Sequence, residues 1–168
     1  MSPASLALPR GRSVDLAGKA VVMGIVNATP DSFYAASGLA GAGADMRAAA
    51  VDRVAAMVEA GAAIIDVGGE STRPGSEYVG PDEEAARVVP VVEAIRSRWD
   101  VAVSVDTRKA SVAAAALDAG ADIVNDVSAL ADDPALASLC AARGVPVVLM
   151  HKKGVPSSMQ DAPWYVDC

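Results

Sequence analysis

Aromatic side chains are scarce in this chain of 168 residues, which has one Phe, two Trp and three Tyr. Half-buried strands favour aromatic and β-branched residues. The shortage, set against abundant alanine, disfavours an all-β fold and favours helices packed on a β-branched sheet. Cysteine is also scarce: Cys140 and Cys168 are too few and too scattered for a disulfide framework or a zinc site. A reducing cytoplasm is then the default compartment. His151 is the only histidine, so a two-histidine metal site is excluded and a Ser-His-Asp triad has one available base. Cations are outnumbered, 14 Lys+Arg against 21 Asp+Glu, for a formal charge of -7. That balance argues against a nucleic-acid partner and against an anionic membrane surface. Any anionic ligand must be met by a local cluster of donors. No apolar run is long enough to span a bilayer, and neither GxGxxG nor a Walker motif is present. Residues 1–18 carry arginines but no apolar core segment. They read as a loose N-terminal lead-in, not a signal peptide, to a single domain over 19–168.

What the sequence does contain is organised around Ile64-Ile65-Asp66-Val67-Gly68-Gly69-Glu70-Ser71-Thr72-Arg73-Pro74-Gly75. The β-branched run reads as a buried strand. Two glycines then allow a ligand to approach the backbone closely. Ser71, Thr72 and Arg73 supply donors suited to phosphate or carboxylate. A tight polar connection with Arg73 in solvent is the competing reading, of equal weight.

Five apolar runs of this kind follow one another: Ala20 to Val26, Ala63 to Val67, Val101 to Val105, Ile123-Val124, and Val145 to Met150. Helical patterns separate them. They cover Asp45 to about Ala60, Asp82 to about Arg98 after a loop ending in Gly80-Pro81, with Pro90 expected to kink it or shift its start, Lys109 to Ala119, and Pro134 to Arg143 behind an Asp133 cap. One joint repeats: Gly61, Gly120 and Gly144 each stop a helix just before a buried strand. Alternating strand and helix requires a parallel sheet with helical crossovers. A closed (β/α)8 barrel of TIM type and an open doubly wound sheet both satisfy that pattern.

Polar residues at the strand ends favour the barrel. Asn27 and Asp31, Glu70 to Arg73, Asp106, Asn125 with Asp126, and His151 close the successive strands. A barrel gathers such groups around one mouth, whereas an open sheet concentrates its site at one switch point. Asp106, Asn125 and Asp126 are equally readable as simple helix or turn caps. Asp66, inside an apolar strand, needs partners. Phe33 and Tyr34 are either a stacking wall or loop packing.

Two of these stretches resemble signatures of the dihydropteroate synthase family. They are Met23-Gly24-Ile25-Val26-Asn27-Ala28-Thr29-Pro30-Asp31-Ser32-Phe33 and Asp66 to Gly75. Ser104-Val105-Asp106-Thr107, Val124-Asn125-Asp126-Val127-Ser128 and Leu149-Met150-His151 resemble the family's next strand ends. The resemblance covers residues from about 20 to 160. It implies a (β/α)8 barrel of which about the first five βα units are present. It also implies condensation of dihydropterin-6-ylmethyl pyrophosphate with p-aminobenzoate, giving 7,8-dihydropteroate and pyrophosphate with Mg²⁺ present. Carried over by position, Asn27 would hold Mg²⁺ and pyrophosphate. Asp106 and Asn125 would hydrogen-bond the pterin edge. Thr72 and Arg73 would act at the pyrophosphate, while Phe33 and Pro74 would line a p-aminobenzoate pocket that sulfonamides also enter. The family form implies a cytoplasmic homodimer.

Three features depart from the family pattern. Tyr34 to Gly38 replaces an Asp and two glycines, and Lys152-Lys153 replaces an uncharged pair. The family's later motifs, a strand-end Asp-Pro-Gly, a pterin-contacting lysine and an Arg-x-His anion site, do not occur before Cys168. The alternatives are a non-catalytic pterin-barrel fragment or binding module, and a pterin-binding methyltransferase domain.

Overall fold

The computed structural model describes residues 5–18, 20–29, 44–71 and 77–150, with the side chains of 44–46 left aside. A short hairpin comes first, β1 (Ser5–Ala7) and β2 (Ser13–Asp15), paired antiparallel. Five parallel strands follow: β3 (Met23–Asn27), β4 (Ile64–Gly68), β5 (Ala102–Asp106), β6 (Ile123–Asp126) and β7 (Val147–Leu149). Helices α1 (Ala44–Glu59), α2 (Pro81–Arg96), α3 (Ala110–Ala119) and α4 (Pro134–Arg143) connect them. Each strand is hydrogen-bonded to the next one in the chain, in the order β3-β4-β5-β6-β7. The order never reverses, so the described sheet has no switch point of the open type; this is the strand order of a (β/α)8 barrel wall.

The two faces of the sheet have separate cores, as the period of two requires. Val26, Ile65, Val67, Val103, Val105 and Val124 pack outward against Ala50, Val54, Val88, Val92, Ala113, Ala116 and Leu136 of the four helices. The inner face starts apolar, with Ile64, Ala102 and Ile123 packed under Leu8 and Val14 of the hairpin. Farther along the same face it turns polar: Asp66, then Asn27, Gly68, Asp106 and Asn125. That alternation places the polar strand ends at one mouth.

The expected helix stops are present. Gly61, Gly120 and Gly144 have φ of 93°, 117° and 60°, the left-handed region that glycine enters without a Cβ penalty. Asp133 caps α4, its side chain accepting from Ala135 N at 3.0 Å. It also accepts from Ala110 N at 2.7 Å, so one carboxylate tethers the starts of α3 and α4. Those two N–H donors hold the Asp133 carboxyl below its ordinary range. Pro90 does not shift the start of α2, which runs from Pro81 through it to Arg96. Val88, Val91, Val92 and Ile95 on either side of it are all buried, and their packing offsets the lost hydrogen bond.

The N-terminal lead-in is not loose over residues 5–15. Leu8 and Val14 are buried under the strand starts. Arg10 donates to Gly120 O at 2.8 Å and Ala121 O at 3.0 Å, and pairs with Asp122 at 2.7 Å. Arg12 and Arg96 also pair with Asp122, which is fully buried and accepts from Val103 N at 3.0 Å. Strands of three residues are too short to show a period, and the arginine partners lie more than 80 residues away in sequence. Asp122→Ala should therefore destabilise the fold by about 3–5 kcal/mol, because it strands the cations gathered around it. Urea unfolding at fixed protein concentration measures this; a loss under 1 kcal/mol would mean that the floor is held by Leu8 and Val14 alone.

Candidate functional site

Strand register builds the mouth. Asn27 pairs with Gly68, Gly68 with Asp106, and Asp106 with Asn125. Gly68 has a specific role here. A Cβ at this position would lie 3.6 Å from Asn27 Oδ1 and 3.6 Å from Asp106 Oδ2. The glycine thus opens a space that those two side chains flank. Gly69 serves a different end from the one its sequence suggested. A Cβ there would meet Val88 at 2.8 Å and Glu84 at 2.9 Å, so Gly69 lets α2 pack onto the strand end and does not line the mouth.

One level deeper, Asp66 is 2% exposed and its Oδ2 accepts from Asn125 Nδ2 at 3.0 Å. Among the described residues its Oδ1 and the buried Ser104 Oγ, its neighbour in register, have no partner at full hydrogen-bond geometry. Burial pushes the Asp66 carboxyl above its ordinary value, and the nearby Ser104 and Asn125 side chains only moderate this. Asp106 is raised further, to about 7, first by burial and then by the negative charges of Asp66, Glu84, Asp126 and Glu70. The Asp106 carboxyl, in register with the Asn125 amide, suits a ligand edge carrying N–H donors.

Glu70 faces away from this role. Lys109 Nζ pairs with it at 2.5 Å and Arg108 at 3.0 Å. Burial would raise the Glu70 carboxyl, but these two cations outweigh it and hold it below its ordinary value. Lys109 also pairs with the buried Glu84 and lies 4.7 Å from the centre of the Tyr78 ring. One ammonium thus ties the β4 end, the α2 start and the α3 start together. In the sequence Lys109 stands only as the first residue of a helix. A lysine at a helix N-terminus opposes the helix dipole, and that misfit was the available signal for a carboxylate partner. Asp126 proves to be a turn staple: its oxygens accept from Ser128 N and Leu130 N, each at 2.7 Å. It holds Ala129 and Leu130 at positive φ, 54° and 66°. Asp106-Thr107 does not cap α3 by a side chain; Lys109 occupies that position.

Of the residues singled out from sequence, Asn27, Asp106 and Asn125 share the mouth. Asp31, Phe33, Tyr34, Thr72, Arg73, Pro74 and His151 lie outside the described residues. Among the described residues no three His, Cys, Asp or Glu side chains cluster to hold a metal, and no helix is long and apolar enough to cross a membrane.

Comparison with known proteins agrees with this geometry. Residues 23–167 match the pterin binding enzyme family. Dihydropteroate synthase of Escherichia coli K12 is 48% identical over 158 residues, covering 94% of this chain and 54% of that protein. The Bacillus subtilis synthase is 50% identical over 135 residues, covering 80% of this chain and 46% of that protein. Among solved structures, Yersinia pestis dihydropteroate synthase in a sulfonamide drug complex superposes with a TM-score of 0.83 at 45% identity, covering 97% of this chain and 56% of that one. The Xanthomonas albilineans synthase with 4-aminobenzoic acid gives 0.82 at 41% identity, covering 98% and 55%. The chain spans about half the length of the curated relatives it matches. A parallel sheet in barrel order, a polar mouth at its carboxyl ends and a family match over most of its length together establish that this chain belongs to the pterin binding enzyme family.

Proposed function

We propose that the chain supplies the first five strand–helix units of a dihydropteroate synthase, which joins dihydropterin-6-ylmethyl pyrophosphate to p-aminobenzoate and releases pyrophosphate. The observation that carries this reading is the pairing of Asp106 with Asn125 at neighbouring strand ends above a buried carboxylate. Their acceptors suit the amino and ring N–H edge of a pterin. Asn27, across Gly68 from Asp106, is placed for the leaving group. Thr72 and Arg73 follow the glycine pair; Arg73 would neutralise pyrophosphate as it departs and Thr72 would donate a hydrogen bond to it. Phe33 and Pro74 would wall the p-aminobenzoate pocket.

Displacement of this kind is dissociative: pyrophosphate leaves early, and the aryl amine captures a pterin-stabilised cation. Positioning and electrostatic stabilisation therefore matter more than a strong base. Mg²⁺ would supply charge neutralisation of the pyrophosphate. The described residues fit a site shared with the substrate, not a protein cage: the Asn27 amide oxygen, a hard donor flanking the space above Gly68, would hold the ion together with the substrate's phosphate oxygens. The same reading places the protein in the cytoplasm, as a homodimer in its full-length form.

The test is product formation when residues 1–168 are combined with the later strands of the Escherichia coli relative. Dihydropteroate should form with Mg²⁺ and both substrates, and Asp106→Ala should abolish it. Asp118→Ala, on the exposed face of α3, should not. Activity indifferent to Asp106 would refute the assignment. In the same reconstituted barrel, Arg73→Ala should lower turnover about 100-fold, the usual cost of deleting a donor aimed at developing charge. Asp82→Ala removes only a first-turn charge of α2 and should change stability by roughly 1 kcal/mol or less. Equal kinetic losses at matched stability would remove Arg73 from the anion site.

A further inference from the structure

Asp66 is costly to the fold and unexplained by it. It interrupts Ile64, Ile65 and Val67 in a wholly buried strand, it is 2% exposed, and among the described residues its Oδ1 has no partner at full hydrogen-bond geometry. A leucine-sized apolar side chain would suit the barrel interior at least as well, since replacing buried charge by apolar volume is often neutral or stabilising. What Asp66 does make is one directed contact, accepting from Asn125 Nδ2 at 3.0 Å. Asn125 sits in register with Asp106, one level nearer the mouth than Asp66. An asparagine amide has two ends of nearly equal shape and opposite polarity. A carboxylate beneath it accepts only from the NH₂ end.

We propose that Asp66 is a positioning residue for ligand recognition: it fixes the Asn125 amide so that its carbonyl oxygen, not its NH₂ group, stands beside the Asp106 carboxyl. The mouth then offers two adjacent acceptors, which select a ligand edge with two adjacent N–H donors, as in an amidine or guanidine. The inference deepens the pterin reading and rests on it for the identity of the ligand, though not for the orientation of the amide.

Asn27 and Asn125 are the chain's two asparagines, so ¹⁵N-asparagine labelling of this chain, combined with unlabelled later strands of the Escherichia coli relative, gives two pairs of side-chain amide signals, and Asn125→Ala assigns them. In the wild type one Asn125 amide proton should be shifted downfield and protected by the carboxylate. Asp66→Leu should abolish that signature and weaken 6-hydroxymethylpterin binding about tenfold, as expected for a misdirected buried hydrogen bond. Asp66→Asn keeps an acceptor oxygen and should restore most of both. In the Asn125→Ala background, Asp66→Leu should cost less than twofold in affinity, because Asp66 acts through Asn125. An Asn125 signal unmoved by Asp66→Leu, or equal affinity losses in both backgrounds, would overturn the proposal. If the wild-type barrel, completed with the later strands of the Escherichia coli relative, fails to bind the pterin, the functional reading falls, and the amide signal alone decides whether Asp66 holds Asn125.

Discussion

A polypeptide of residues 1–168 alone should self-associate and should form dihydropteroate many orders of magnitude more slowly than a barrel completed with the later strands of a relative. An eight-stranded barrel takes typically about 250 residues, and this chain spans 54% of the Escherichia coli synthase it matches. Among the described residues β3 and β7 each have a strand on one side only. Both edges expose apolar side chains: Val22 and Ile25 are each 59% exposed, Val148 42%, Leu149 51% and Met150 36%. Unpaired apolar edges recruit further strands. The mouth is affected as well, because groups facing Asp106 and Asn125 from across a barrel come from other strands. Losing several positioning groups at once removes most of the rate enhancement. Light scattering and a product assay read the two effects together. A monodisperse monomer with the turnover of a complete synthase would show that residues 1–168 suffice.

Asp106→Asn should have opposite effects on stability and on binding. The folded-state carboxyl titrates near 7 against an ordinary value of 3.8, so the fold favours its neutral form. The unfolded chain gives up that proton at lower pH. The stability associated with the neutral form is therefore complete below about pH 4, is lost progressively between about 4 and 7, and is gone above. An asparagine is neutral throughout. The variant should accordingly be more stable than wild type at pH 8 and show no such gain at pH 4, with Asp66, Glu84, Asp126 and Glu70 still facing the position. Its affinity for a pterin should nevertheless fall about 100-fold at pH 8, since a charge-assisted acceptor is lost. Urea unfolding at the two pH values and a pterin titration measure both. A variant that loses stability at pH 8, or one that binds as well as wild type, would remove Asp106 from the role given to it.

The barrel wall was readable because its signals are local and repeated. Gly61, Gly120 and Gly144 end helices by their own backbone freedom, and Asp133-Pro134 announces α4. Strand ends with polar residues named the mouth, because on a parallel sheet every strand points its last side chains to the same end. Signals that depend on distant partners were not legible. The hairpin of β1 and β2 is tied down by Leu8 and Val14 under the strand starts and by Asp122, more than a hundred residues later. Lys109 acquires its meaning only when α2 brings Glu84 beside it. Gly69 reads as a ligand-facing glycine until α2 is seen packed on it. Asp126 carries the same chemistry as Asp106 but turns back on its own loop, a choice made by the Ala129–Leu130 turn and not by residue type.

Equilibrium binding of 6-hydroxymethylpterin to the reconstituted barrel, comparing wild type with Asp106→Ala, Asn125→Ala and the double variant at pH 8, tests most directly whether these paired strand ends recognise a pterin. Each single variant should lose at least about 30-fold in affinity, with the double losing less than the product of the two because both act on one ligand edge. Wild-type affinity in either single variant would place the pterin elsewhere and contradict the assignment.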